Sequence, residues 1–265
     1  MGKESLNSWY DRRMYLPVSQ EFYEGSDFHN LGFWNEDTRD PKQACENLME
    51  KLLGLITDKS GTILDVACGK GATTQYLLKH YPPESVIGIN ISERQLESCR
   101  ALAPGCRFVL MSATELELED ESVHNIICVE AAFHFDTREK FFQEAFRVLR
   151  PGGSLVLSDL LMTNQSTRWA KRIPPENWVY SAQEYGAVLQ GIGFKPIRIE
   201  DITEESLAAF VEYTKTSVER RHKEGKIGRW RARSMSRLMT RMAPLVNAYT
   251  YVVVSARKPK EVMGS

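Results

Sequence analysis

The stretch that decides the fold is LDVACGKGATT, Leu64 to Thr74. It closes the β-rich run TILDVA, residues 62–67, and opens the helical run ATTQYLLKHY. A strand that turns through glycines into a helix presents backbone N–H groups and small residues to a ligand. Thr74 stands where the dinucleotide fingerprint has its third glycine, which disfavours a pyrophosphate. Asp65, four residues before Gly69, would repel a pyrophosphate and suits a cationic ligand. Ala67 is small where a ligand must come close.

Working outward, strand and helix signals alternate. SVIGINI (85–91), RFVLM (107–111), NIICV (125–129) and SLVLSDLL (154–161) read as strands. SERQLESCRALA reads as a helix opened by a capping box, Ser92 with Gln95. TREKFFQEAFRVL is amphipathic and helical, and RPGG after it reads as a turn. Such alternation implies a parallel sheet covered on both faces. Upstream, Asp40 reads as an N-cap and Pro41 as the first helical residue, with Ala44, Leu48, Leu52 and Leu55 at helical spacing. Downstream, SAQEYGAVLQGIGF is helical, KPIRIEDI is a strand, and YTYVVVSA (249–256) is the last strand. Between those two strands, residues 203–247 read as a helical insertion. Ten Lys/Arg stand against two Glu from Lys215 to Arg241.

Composition narrows the functional classes. The 265 residues are 42% hydrophobic and 26% charged, enough for one large core. A net charge of −1 argues against bulk nucleic-acid binding, and no DPPY or NPPY target-amine signature is present. The five cysteines are scattered, with no CxxC pair, which argues against a disulfide framework or a zinc site. The N-terminus lacks an apolar core like that of a signal peptide, and no run of 18 apolar residues occurs. The expectation is a cytoplasmic protein with a small-molecule partner and neither nucleic acid nor membrane, self-association being left open.

Several spaced motifs together resemble the class I S-adenosylmethionine (SAM) dependent methyltransferases over about residues 25–160. The acid-x-small-x-Gly-x-Gly run, Asp65 to Gly71, matches the family's first motif. GINIS-ERQ resembles a subgroup that lacks the usual ribose-binding acid after the second strand. VEAAFHFDTREKFFQEAFRVLRPGG looks most like macrolide-sugar and related natural-product O-methyltransferases. DFHNLGFWNEDTRDP resembles the aromatic lid segment of some small-molecule enzymes. The implied fold is α/β, a doubly wound, mostly parallel seven-stranded sheet. The implied organisation is an N-terminal helical lid (1–40), a SAM-binding domain (41–265) and an insertion (203–247) capping the acceptor.

The resemblance implies a cofactor set: Asp65, Ala67, Gly69 and Gly71 in the loop, Asn90, Ile91 and Gln95 after the second strand, and Ser112, Ala113 and Thr114 after the third. Val129 and the lid aromatics Tyr23, Phe33 and Trp34 complete it. SAM would be consumed to S-adenosylhomocysteine, with no metal. His134, just beyond the fourth strand, is the expected general base of an O-methyl transfer, with helix capping as its plainer role. Glu130, Phe133, Asp159, Trp169, Trp178 and Tyr180 are the expected acceptor walls. A C- or N-methyltransferase, or a cyclase on the same fold, is the alternative reading.

Overall fold

The computed structural model describes residues 3–23, 25–163, 173–230, 232–233, 235, 237 and 244–260. Seven strands form one sheet: β1 (Ile63–Val66), β2 (Val86–Asn90), β3 (Arg107–Leu110), β4 (Val123–Val129), β5 (Leu149–Met162), β6 (Ile197–Asp201) and β7 (Tyr249–Arg257). Their order is β3-β2-β1-β4-β5-β7-β6. Only β7 runs antiparallel to its neighbours. The order reverses between β1 and β4, the switch point at which such sheets open a crevice beyond the strand ends.

The main helices among the described residues are α1 (Lys3–Met14), α2 (Pro17–Phe22), α3 (Pro41–Gly54), α4 (Ala72–Leu77), α5 (Glu93–Leu102), α6 (Arg138–Val148), α7 (Ala182–Ile192) and α8 (Ala209–Lys223). Side-chain caps start α3, α5, α6 and α7. Asp40 accepts from the Gln43 N–H at 2.8 Å, and Ser92 from the Gln95 N–H at 3.3 Å. The capping box is only half formed, because the Gln95 side chain is used elsewhere. RPGG, expected as a turn, lies inside β5. There the β4 register shifts between Val123 and Asn125, and Gly152 takes a left-handed φ of 85°.

One large apolar cluster lies on the α3 side of the sheet, including Leu48, Leu52, Ile127 and Tyr251. A second lies under α6 and α7, including Phe141, Phe142, Tyr185 and Leu157. The N-terminal 40 residues divide in two. Tyr23, Phe28 and Trp34 are buried in the body of the protein. By contrast, α1 is held to α5 by polar bonds, including Gln95 Nε2 to Asp11 Oδ1 at 2.7 Å. Among the described residues no helix is long and apolar enough to cross a membrane.

Candidate active site

Two strand ends build the site. Ala67, with φ 57°, directly follows β1, and Glu130, with φ 51°, directly follows β4. A left-handed backbone is costly for residues with a Cβ, and such strain persists where surrounding contacts hold it. Here it turns both chains at the switch point, over a cavity of about 320 Å³.

Ala67, Gly69, Lys70 and Thr73 line one wall. Gly69 is left-handed at φ 56°, and a Cβ there would meet only Met14 Cε at 3.7 Å, so its open side faces the cavity. Gly71 differs: a Cβ on it would lie 2.9 Å from Cys99 Cα, so this glycine serves the close packing of α4 on α5. It is not on the cavity wall. Asp65 Oδ2 accepts from Thr73 Oγ1 at 2.7 Å and Thr74 Oγ1 at 2.6 Å, which ties β1 to the first turn of α4. Burial pushes the Asp65 carboxyl up to about 6, against the opposing pull of those hydroxyls. Lys70, 3% exposed, pairs with Asp27 and lies over the Tyr15 ring.

Beyond β2, Asn90 Nδ2 donates to Gln95 Oε1 at 2.9 Å, and Gln95 Nε2 donates to Asp11 at 2.7 Å. Asn90, Ile91 and Gln95 line the cavity, as do Ser112, Ala113, Thr114 and Val129. A buried carboxylate suited to a cation, amides and hydroxyls in reach of a sugar, and the apolar Ile89, Met111 and Ala113 form a wall that fits SAM.

Glu130, Phe133, His134 and Leu160 also line the cavity, together with Trp9, Tyr10, His29, Leu207 and Phe210. His134 lies against Phe133 at 4.2 Å and edge-on to Tyr10 at 5.5 Å. It is not the cap of α6, since Thr137 Oγ1 takes the Lys140 N–H. Glu130 Oε1 accepts from the Leu31 N–H at 2.6 Å and from Tyr251 Oη at 2.5 Å. Burial raises its carboxyl to about 7 despite those two bonds. It therefore fastens the N-terminal segment to the strand end.

Other expected residues lie elsewhere. Phe33 packs under Lys51, and Trp34 stacks near Tyr213 at 4.5 Å. Asp159 is fully buried in an ion pair with Arg138 and also accepts from Tyr185 Oη. Trp178 and Tyr180 are largely exposed, off the wall. Trp169 lies outside the described residues. Sequence reading passed over Tyr10, Asp27, His29 and Lys70, all on the wall. Lys70 stood inside the glycine motif and could have been noticed. Burial lowers the His29 imidazole to about 4, helped by Lys70, so it is neutral at physiological pH.

The comparisons with known proteins agree with this architecture. The model of the methyltransferase domain family matches residues 64–157. The phthiotriol/phenolphthiotriol dimycocerosates methyltransferase of Mycobacterium leprae is 30% identical over 182 residues, 67% of each chain. The chain is a class I SAM-dependent methyltransferase of natural-product type. This methyltransferase is also 26% identical to the erythromycin 3''-O-methyltransferase of Saccharopolyspora erythraea, over 87% of its own length and 83% of the relative's. Its fold matches the crystal structure of geranyl diphosphate C-methyltransferase from Streptomyces coelicolor in complex with S-adenosylhomocysteine, with a TM-score of 0.71 at 16% identity, covering 96% of this chain and 97% of the other.

Proposed function

We propose that this methyltransferase transfers a methyl group to a hydroxyl of an apolar natural product or lipid, with His134 as general base. The observation that carries the reading is the place of His134 on the cavity wall, one turn beyond β4, between Phe133 and Tyr10. When bound, SAM supplies an electrophilic methyl on a sulfonium. Attack by an alcohol oxygen requires that its proton leave as the C–O bond forms, and a neutral imidazole can take that proton near pH 7. Phe133 and Tyr10 shield the ring from water. Erythromycin 3''-O-methyltransferase, by its name, acts on an oxygen, and its match spans nearly the whole chain.

Asp65, Gly69, Asn90, Gln95 and Ser112 would hold the cofactor, and Glu130, Phe133, Leu160 and Phe210 the acceptor. In this reading residues 3–16 form the lid, and among the described residues of 203–247 Leu207 and Phe210 reach the acceptor. The test is His134→Ala, with SAM binding measured beside turnover on an extract-derived acceptor. A fall in kcat of roughly 10²–10⁴-fold with SAM affinity retained is expected. A kcat within a few-fold of the parent and an unchanged pH profile would show that positioning alone drives transfer. A product methylated on carbon or nitrogen would overturn the O-methyl assignment.

A further inference from the structure

The cavity does not account for the charge of the insertion. Among the described residues, none of its lysines or arginines lines the cavity wall. They gather instead at the far end of α8, at Arg220, Arg221 and Lys223, and on the helical residues that follow. Arg229, Trp230, Ala232, Arg233, Met235 and Arg237 all have helical backbone. Ala232 is buried and packs with Met235 against Val218 and Ile227. Trp230, Arg233 and Arg237, at the helical spacing i, i+3 and i+7, are all exposed. Trp230 is 83% exposed, the most exposed large apolar side chain described, and Arg229, Arg233 and Arg237 are exposed around it.

Burial of the indole against its own chain would be the ordinary fate of such a ring. Here it stands in water among cations, on a chain whose net charge is −1. Some of the local cations are spent within the molecule: Arg221 pairs with Glu21, and Lys226 with Glu224. Among the described residues, Arg229, Arg233 and Arg237 form no ion pair. An aromatic ring with arginines on one helical face is the composition that seats a helix in the interface of an anionic bilayer. Nucleic acid fits less well, because single strands use a series of stacking rings along a basic groove, and here one ring stands alone.

We propose that the Trp230–Arg233–Arg237 face docks the enzyme on an anionic lipid surface. The indole enters the headgroup boundary, and the arginines meet lipid phosphates within the roughly 10 Å over which surface charge acts at ~0.1 M salt. The same insertion carries Leu207 and Phe210 into the cavity wall, so the surface that holds the enzyme adjoins the element that touches the acceptor. The proposal revises the expectation of no membrane partner. Only its link to an apolar acceptor rests on the O-methyl reading; docking itself is read without turnover.

Vesicle co-sedimentation tests it, with phosphatidylcholine alone and with equal parts phosphatidylglycerol. Binding about tenfold or more tighter to the mixed vesicles, weakening with salt, is expected. Trp230→Ala combined with Arg233→Glu and Arg237→Glu should abolish it while SAM binding and the circular dichroism spectrum stay as in the parent. Arg233→Lys with Arg237→Lys should bind nearly as the parent does. Equal partition into both vesicle types, or undiminished binding by the Trp230→Ala/Arg233→Glu/Arg237→Glu protein, would overturn the proposal. So would tighter binding to homopolymeric RNA than to the mixed vesicles.

Discussion

Asn177 Nδ2 donates to the carbonyls of both Phe133, at 3.2 Å, and Phe135, at 2.7 Å, and so grips the chain on either side of His134. Its Oδ1 accepts the Arg138 N–H at 2.7 Å. One buried amide thus holds the loop of the proposed base against the start of α6. Asn177→Ala should lower kcat by about tenfold or more through misplacement of the imidazole, since small displacements of a catalytic group cost rate steeply. SAM affinity should stay within about twofold, because the cofactor end of the cavity lies on other strands. Isothermal calorimetry beside steady-state kinetics separates the two, and a parallel loss of SAM binding would show a general structural role.

Behind Asn177 lies the Arg138–Asp159 pair, with Arg138 Nε on Asp159 Oδ2 at 2.8 Å. Both side chains are almost fully buried, and the Arg138 guanidinium also reaches the carbonyls of Asn177 and Leu160. Removing one partner strands the other charge in the core. Arg138→Met should cost about 3–5 kcal/mol in urea denaturation. Arg138→Met combined with Asp159→Leu should recover a substantial part of that loss, since a buried pair replaced by apolar residues is often close to neutral. A double variant no more stable than the single one would contradict this account.

The Asp65 carboxyl predicts a pH dependence of cofactor binding. Burial raises it to about 6, so below that pH its neutral form prevails. A bound cation favours the ionised form. SAM affinity should therefore rise with pH up to about 6 and level off above it. Asp65→Asn should bind more weakly and show no such slope. Calorimetric titrations from pH 5 to pH 8 give the profile, and a parent protein with a flat profile would exclude Asp65 as the titrating group.

The glycines of the loop divide by role. Gly71→Ala brings its Cβ against the α5 backbone at a left-handed φ of 96°, so its cost should fall on stability, measured as a lowered Tm. Gly69→Val points its side chain into the cavity, where no protein atom but Met14 Cε is near, so its cost should fall mainly on SAM affinity. Reversal of those two patterns in thermal melts and titrations would contradict the orientations.

Asp11 supplies a carboxylate at the end of β2, where Asn90 stands in place of an acid. It accepts from Ser92 Oγ at 2.8 Å and Gln95 Nε2 at 2.7 Å. Asp11→Ala should release α1 and weaken SAM binding several-fold. Hydrogen exchange should then rise in residues 3–16 and remain slow in 23–34, where Tyr23, Phe28 and Trp34 are buried. Uniform exchange across both segments would remove the division between them.

The sequence by itself determined the sheet and the glycine loop. Strand alternation, Asp40, Ser92 and the GKG turn are local signals, and local backbone sterics and capping enforce them whatever lies nearby. The loop residues Asp65, Ala67 and Gly69 and the base candidate His134 were legible for the same reason: each sits at the end of a strand whose direction the pattern reveals. Only the tertiary structure decided which side chains converge. Asp159 and Asn177 are polar residues on separate elements; one proved a core ion-pair partner and the other the brace of the His134 loop. Trp34 and Tyr10 are both N-terminal aromatics, yet only Tyr10 reaches the cavity. Side-chain destination depends on contacts tens to hundreds of residues apart, such as the 99-residue separation of Leu31 from Glu130. No periodicity encodes such contacts; they form only when burial of the two cores brings those segments together.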